Sequence, residues 1–354
     1  MSANVGNGLI PLAQPDLSGN ELGYLIECLN SGWISSRGPW VERFETMLSA
    51  RFGHPAASCA NGTGALWLAL KALGIGRGDD VVVPDLTFAA TANAVLATGA
   101  NLVLADIDPL SKCLSVETVE RVITKRTRAI IAVHLYGNAA PVGELKKFLV
   151  PIIEDSAEAI DVPPTGDFAC FSFFGNKVMT TGEGGAVVGA DLDAVKLYRD
   201  HGHVGGYIHD VAGLNWRMTA LQAAVGCAQL ERLTGMLERR REIARRYHAA
   251  FYWLGGGGTW LYTFTSPIKD RVEFVERLAE RGIEARIGFE PLHRQKPYLS
   301  DRAFPVADYH AGRDESKSGG LVSIPTGTHL SDADVECVIA AVLASCPTMN
   351  REVA

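Results

Sequence analysis

From residue 56 onward, short apolar runs alternate with helix-patterned stretches, and that alternation leaves few folds open. AASCA, DDVVVP, LVLADI, TRAIIAVH, VPIIED, FACFSFF and GAVVGA read as strands. ALWLALKALG, TFAATANAVLATG, SVETVERVITK and the stretch beginning near Asp191 read as helices between or after them. Strands separated by helices pair in parallel, because a hairpin cannot join them. The expectation is an α/β fold with a mostly parallel sheet and helices on both faces.

Upstream, Glu21 to Leu29 and Val41 to Phe52 show helical spacing on either side of a loop, SGWISSRGP. Downstream comes a polar, glycine-rich stretch (201–218), then a long helical region from about Thr219 to Tyr252. GGGG (255–258) breaks it. Beyond the break, YTFTSP, the helix RVEFVERLAERG, a glycine/serine loop near 312–320 and a last helix from Ser331 to Ala344 suit a small α/β unit. The expected division is a large domain over 1–250 and a smaller one over 251–354.

Composition narrows the function classes. The chain has 354 residues and a net charge of -7, with 47% hydrophobic and 21% charged residues. The densest basic run, ERRREIARR (238–246), also carries acids and apolar residues at helical spacing, so it reads as a solvated helix face. No nucleic-acid partner is expected. The opening MSANVGNGLIPLAQP lacks the charged and apolar regions of a secretory leader, and no apolar run has membrane-spanning length. The seven cysteines form no CxxC pair, and neither HExxH nor a tight Cys/His cluster appears. Reduced thiols, a cytoplasmic setting and no metal follow as expectations.

Ligands of a parallel α/β sheet bind beyond the carboxyl ends of its strands, and three features fall there. ANGTGALW (60–67) is a tight turn opening a helix, either a phosphate cradle or an ordinary helix start. It is neither a Walker loop nor a GxGxxG fingerprint. Asp155 ends the apolar run of IIED, either as a helix N-cap or as a functional carboxylate. Lys177 follows the strand that contains Ser172, either snorkelling to water or acting as an amine with lowered proton affinity. Together the three suit pyridoxal 5'-phosphate (PLP), which needs a phosphate anchor, a carboxylate for its ring nitrogen and a lysine for its aldehyde.

Ordered matches across nearly the whole chain carry a resemblance. They include SGWISSRGPWVERFE, NGTGALWLAL, GDDVVVPDLTFAATANAV, DIDP, VHLYG, IEDSAEA, GDFACFSFFGNKVMTTGEGG, LNWRMTALQAAVGCAQLERL and PLHRQKPY. The sequence resembles the DegT/DnrJ/EryC1/StrS nucleotide-sugar aminotransferases, PLP enzymes of fold type I. The resemblance implies that Lys177 forms the Schiff base and carries protons, and that Asp155 pairs with the ring nitrogen. It also implies that Phe88 stacks on the ring and that Gly62, Thr63 and Ser172 hold the phosphate. Asn215, with Arg217 close by, would reach the phosphate of the other subunit in a homodimer with shared active sites. Glu158 stands where relatives carry Gln or His beside the cofactor. Ser35, Arg37, His201, Arg286 and His293 lie in segments that approach the sugar nucleotide or the cofactor.

A lysine at 177, where some members have histidine and dehydrate the sugar, implies transamination with L-glutamate as donor. The FFGNK and HDVAGLNWRM forms imply amination at C4 of GDP-4-keto-6-deoxymannose. A dTDP- or UDP-linked 3-keto or 4-keto sugar is the rival acceptor, and a non-catalytic PLP-binding relative is the rival class. One departure stands out: only IDVPPT separates IEDSAEA from GDFACFSFF, and the stretch from YGNAAPVGELKKF to VPIIED is also short.

Overall fold

The structure is a computed structural model that describes residues 8–254, 257–312 and 319–346. Part of the GGGG break and most of the 312–320 loop lie outside the described residues. Seven strands form the main sheet: β1 (Ala56–Cys59), β2 (Asp80–Pro84), β3 (Asn101–Ala105), β4 (Thr127–Val133), β5 (Ile152–Asp155), β6 (Phe168–Ser172) and β7 (Gly185–Gly189). Their order is β1-β7-β6-β5-β4-β2-β3. Pairing is parallel from β3 through β6, and only β7 runs antiparallel to both its neighbours. The fold class expected from the alternation is the one observed.

The antiparallel β7 has a local consequence. The twelve residues between β6 and β7 form a wide hairpin connection at the carboxyl end of β6, and Lys177 sits on it.

Two helices, α1 (Glu21–Ser31) and α2 (Pro39–Phe52), precede the sheet. α3 (Gly62–Ala72) and α4 (Ala89–Ala97) follow β1 and β2, and α3 packs across β1, β5, β6 and β7. Strand alternation separates the two faces. Ser172 meets Gly62 at the start of α3. Its neighbour Phe171 points the other way and stacks on Phe52 of α2, with centroids 4.4 Å apart.

The SVETVERVITK stretch is helical only as α5 (Val116–Glu120). Beyond it Val122 and Ile123 both bond back to the Val119 carbonyl, and the β-branched VIT run favours helix continuation weakly. The short link from β4 to β5 holds only the four-residue α6 (Val142–Leu145) and two 3-10 turns, Leu135–Gly137 and Lys146–Phe148. The even shorter link from β5 to β6 is pinned from inside the sheet. The buried Glu154 carboxylate accepts from the Thr165 N–H at 2.6 Å, from the Gly166 N–H, and from His134 Nε2 at 2.8 Å. His134 Nδ1 accepts from the Ala140 N–H, which leaves Nε2 as the donor to Glu154.

After β7 come α7 (Asp193–Arg199), a small hairpin of β8 (His203–Gly205) and β9 (Ile208–His209), and the 32-residue α8 (Ala220–Phe251). A capping box between Thr219 and Gln222 starts α8. The remainder forms β10 (Tyr262–Thr265), α9 (Arg271–Ala279), β11 (Arg286–Ile287), α10 (Pro305–His310), β12 (Leu321–Ile324) and α11 (Asp332–Ser345). Its three strands make a separate antiparallel sheet, β10-β12-β11. Two hydrophobic clusters result. The larger surrounds the main sheet, and the smaller joins Ile243, Tyr247 and Phe251 of α8 to β10, β12, α9 and α11.

Candidate active site

Two strand ends and two loops bring side chains together around Lys177. Asp155, the last residue of β5, is buried. Thr91 Oγ1 donates to its Oδ2 at 2.8 Å, and the Ala157 N–H donates to its Oδ1 at 3.2 Å. Burial pushes its carboxyl above the ordinary range, and the Thr91 bond opposes that. Glu158, one turn further on, is also buried; its Oε2 accepts from the Tyr136 N–H at 2.9 Å. Burial pushes Glu158 up to about 7, against the opposing pull of Lys177. Tyr136 is held in the left-handed region at φ 53°, an uncommon conformation for a bulky residue.

The Lys177 side chain is 14% exposed, and its Nζ lies 3.8 Å from Glu158 Oε1. Burial lowers its proton affinity, while Glu158 and Asp155 raise it and Arg286 lowers it further. Two carboxyls whose protons are held tightly therefore face an amine whose proton is held loosely. That combination marks a site for proton transfer near neutral pH. The Nζ also stands 3.9 Å from the centroid of the Trp260 ring.

The 60–67 turn abuts Ser172 at the end of β6, the strand that leads into the Lys177 connection. Asn61 caps α3 by accepting from the Gly64 N–H, which leaves the Gly62 and Thr63 N–H groups without a partner among the described residues. A Cβ on Gly62 would stand 2.8 Å from the Ser172 Cβ, so turn and hydroxyl abut and only glycine fits there. Phe88 caps α4, is 60% exposed, and leans on Phe289 with centroids 5.8 Å apart. An anion cradle at a helix start, a buried carboxylate, a buried amine and an open aromatic face are the parts that PLP requires.

Other sequence-singled residues lie elsewhere. Ser35, Arg37, His201 and Arg217 line one open cleft, together with Ser36 and Asp200. Arg217 is ion-paired with Asp200, and its Nε donates to Ser36 Oγ at 3.1 Å. Asn215 is exposed, whereas Trp216 between the two turns inward onto Gly64 and Trp67. Arg286 is exposed on β11. His293 is buried, and its Nδ1 lies 2.7 Å from Asp85 Oδ2. Among the described residues, no group of three His, Cys, Asp or Glu side chains could hold a metal ion. Thr91, Tyr136 and Trp260 complete the surroundings of Lys177; Thr91 and Tyr136 stand in the stretches GDDVVVPDLTFAATANAV and VHLYG without being singled out there, and Trp260 lies in no such stretch.

Such a site on such a sheet defines the class: a PLP-dependent aminotransferase of fold type I. The chain belongs to the DegT/DnrJ/EryC1/StrS aminotransferase family, whose profile matches residues 15–343. It is 38% identical to the GDP-perosamine synthase of Vibrio cholerae, covering 93% of this chain and 96% of that protein. It is 39% identical to the GDP-perosamine synthase of Escherichia coli O157:H7, covering 84% and 90%. Among solved structures, a putative sugar aminotransferase of Streptococcus pneumoniae in its PLP form superposes with a TM-score of 0.85 at 25% identity, covering 95% of this chain and 98% of that one. DesV of S. venezuelae, solved in complex with a ketimine intermediate, gives 0.84 at 31% identity, covering 91% and 93%. Among the described residues no helix is long and apolar enough to cross a membrane.

Proposed function

We propose that the protein moves the amino group of L-glutamate to C4 of GDP-4-keto-6-deoxymannose, giving 2-oxoglutarate and GDP-perosamine. The observation that carries the reading is the Lys177 amine set against Asp155 at the end of β5 and Glu158 in the turn after it. The acceptor is argued from the relatives named GDP-perosamine synthase, which match along most of their length.

When bound, PLP supplies a carbonyl for amine exchange and an electron-withdrawing ring. The Gly62 and Thr63 N–H groups and the Ser172 hydroxyl would hold its phosphate. Phe88 would cover the ring, and Asp155, oriented by Thr91, would face the ring nitrogen. Lys177 takes and returns the proton of the reacting carbon through Nζ. Glu158, whose proton leaves near neutrality, stands next to that amine as its proton store.

The second cleft supports a homodimer with shared sites. Ser35, Arg37, His201 and Arg217 gather away from the residues that surround Lys177, and Asn215 beside them faces outward. In this reading they serve the partner's cofactor phosphate and sugar nucleotide, while Arg286 approaches the reacting amine of its own chain. His293 acts indirectly through Asp85. The smaller hydrophobic cluster favours a small domain over 251–354 beside a large one over 1–250, with Ile243 and Tyr247 of the smaller cluster and Trp260, Leu292 and Tyr298 of the larger one crossing that boundary. The buried thiols of Cys28, Cys59, Cys113, Cys170 and Cys227 support a reducing, cytoplasmic setting.

Mass spectrometry of products from GDP-, dTDP- and UDP-linked 4-keto-6-deoxy sugars, with L-glutamate as donor, tests the assignment. Amination of the GDP sugar in preference to the others is expected. Amination confined to a dTDP or UDP sugar overturns the acceptor. A visible spectrum that no amino acid alters overturns transamination itself.

A further inference from the structure

Trp260 belongs to none of the motifs that mark this site, yet its ring face meets the Lys177 amine at 3.9 Å. The indole is fixed at both ends. Its Nε1–H donates to the carbonyl of Asn176, the residue just before Lys177, at 2.8 Å. Its own carbonyl accepts from Arg240 at 2.6 Å, and that same buried Nη1 donates to the Thr326 carbonyl. Tyr136 lies nearly parallel to it, with 9° between the ring planes. Trp260 is 4% exposed. The ring is thus bonded to the loop that carries the amine, and α8 holds it there.

The face of an indole is electronegative and attracts an ammonium far more than a neutral amine, most strongly where water is excluded. We propose that Trp260 is a positioning residue that seats the unbound Lys177 amine on its face and keeps it protonated between proton transfers. The inference rests on Lys177 being the reacting amine. Glu158 and Asp155 also favour the charged amine, and Arg286 opposes it. Those three groups persist in Trp260 variants, so the contribution of the ring face can be read on its own.

The test uses the full-length chain freed of cofactor, with PLP as the probe and visible absorbance as the readout. Only the unprotonated amine captures PLP, so the capture rate against pH titrates Lys177. In Trp260→Leu the midpoint of that profile is expected to fall by about one pH unit. Trp260→Phe, which keeps an aromatic face and most of the bulk, is expected to fall between the two. Trp260→Phe alone decides the matter if the leucine variant does not fold. A midpoint that stays in place or rises overturns the proposal, even if thermal stability drops, because a merely structural tryptophan gives that result. Lys177→Ala keeps the two readings apart. Should it capture PLP with the wild-type band, the assignment of Lys177 itself is wrong.

Discussion

Two polar regions of this molecule treat charge in opposite ways. Around Lys177, two carboxyls and an amine are almost stripped of water, and burial pushes their proton affinities toward each other. In the cleft of Ser35, Arg37, His201 and Arg217, the arginine at 217 is partly solvated and neutralised by Asp200. Burial of unlike groups makes proton transfer cheap near neutrality. A solvated, hydrogen-bonding cleft is suited instead to holding an anionic ligand or a neighbouring chain. The first region has the properties of a reaction centre and the second those of a recognition surface.

Removing the amine is the hardest blow to that contrast. Lys177→Ala is expected to lower turnover by about ten-thousandfold or more, since both a nucleophile and a general base disappear. The visible band of the holoenzyme is expected to vanish with it. Steady-state rates and an absorbance spectrum check the pair, and a variant retaining a tenth of wild-type turnover contradicts the assigned role.

The second region can be tested by complementation. Arg217→Ala and Lys177→Ala proteins are each expected to be nearly inactive. Unfolding and refolding them as an equal mixture is expected to restore about a quarter of wild-type activity. In the proposed homodimer half the dimers would then be mixed, each with one site free of both changes. A mixture as inactive as its components means that Arg217 serves the site of its own chain.

These regions were not equally legible in the sequence. The strands, Asp155, Ser172 and Lys177 announce themselves because each depends on local pattern: an apolar run, then a polar residue at its end. Trp260 gives no such signal. It lies 83 residues beyond Lys177, and only the tertiary contacts of the segment before β10 with Asn176 and Lys177 join them. His293 shows the same limit from the other side. Its ring is committed to Asp85, 208 residues away, a pairing that no spacing rule reveals. The direction of β7 was equally hidden, because strand patterning carries no information about which way a strand runs.

Smaller effects sharpen the description of the reaction centre. Gly62→Ala puts a Cβ 2.8 Å from the Ser172 Cβ, so the α3 turn and β6 must part slightly. A loss of about 1–3 kcal/mol in stability is expected from the overpacking, and urea unfolding of the cofactor-free chain measures it. PLP affinity is expected to fall alongside, because the displaced N–H groups and hydroxyl no longer converge. A variant with wild-type stability and affinity removes the cradle from the site.

Glu158→Gln produces the subtlest change, and its sign follows from the burial of the carboxyl. The folded chain holds the Glu158 proton up to about pH 7, whereas an ordinary glutamate gives it up near 4.5. Between those values the folded state binds more protons than the unfolded state, so this group makes stability fall as pH rises. Below 4.5 both states are protonated and its pH dependence vanishes; above 7 both are ionised and the loss is complete. Glutamine has no proton to lose, so the variant's stability is expected to decline less than the wild type's across that window. Urea unfolding of both cofactor-free proteins at pH 5 and pH 7 gives the difference. Equal slopes would mean that Lys177 keeps Glu158 ionised throughout and that the pocket stores its proton on the amine, which would transfer the reservoir role from Glu158 to Lys177 and the Trp260 face beneath it.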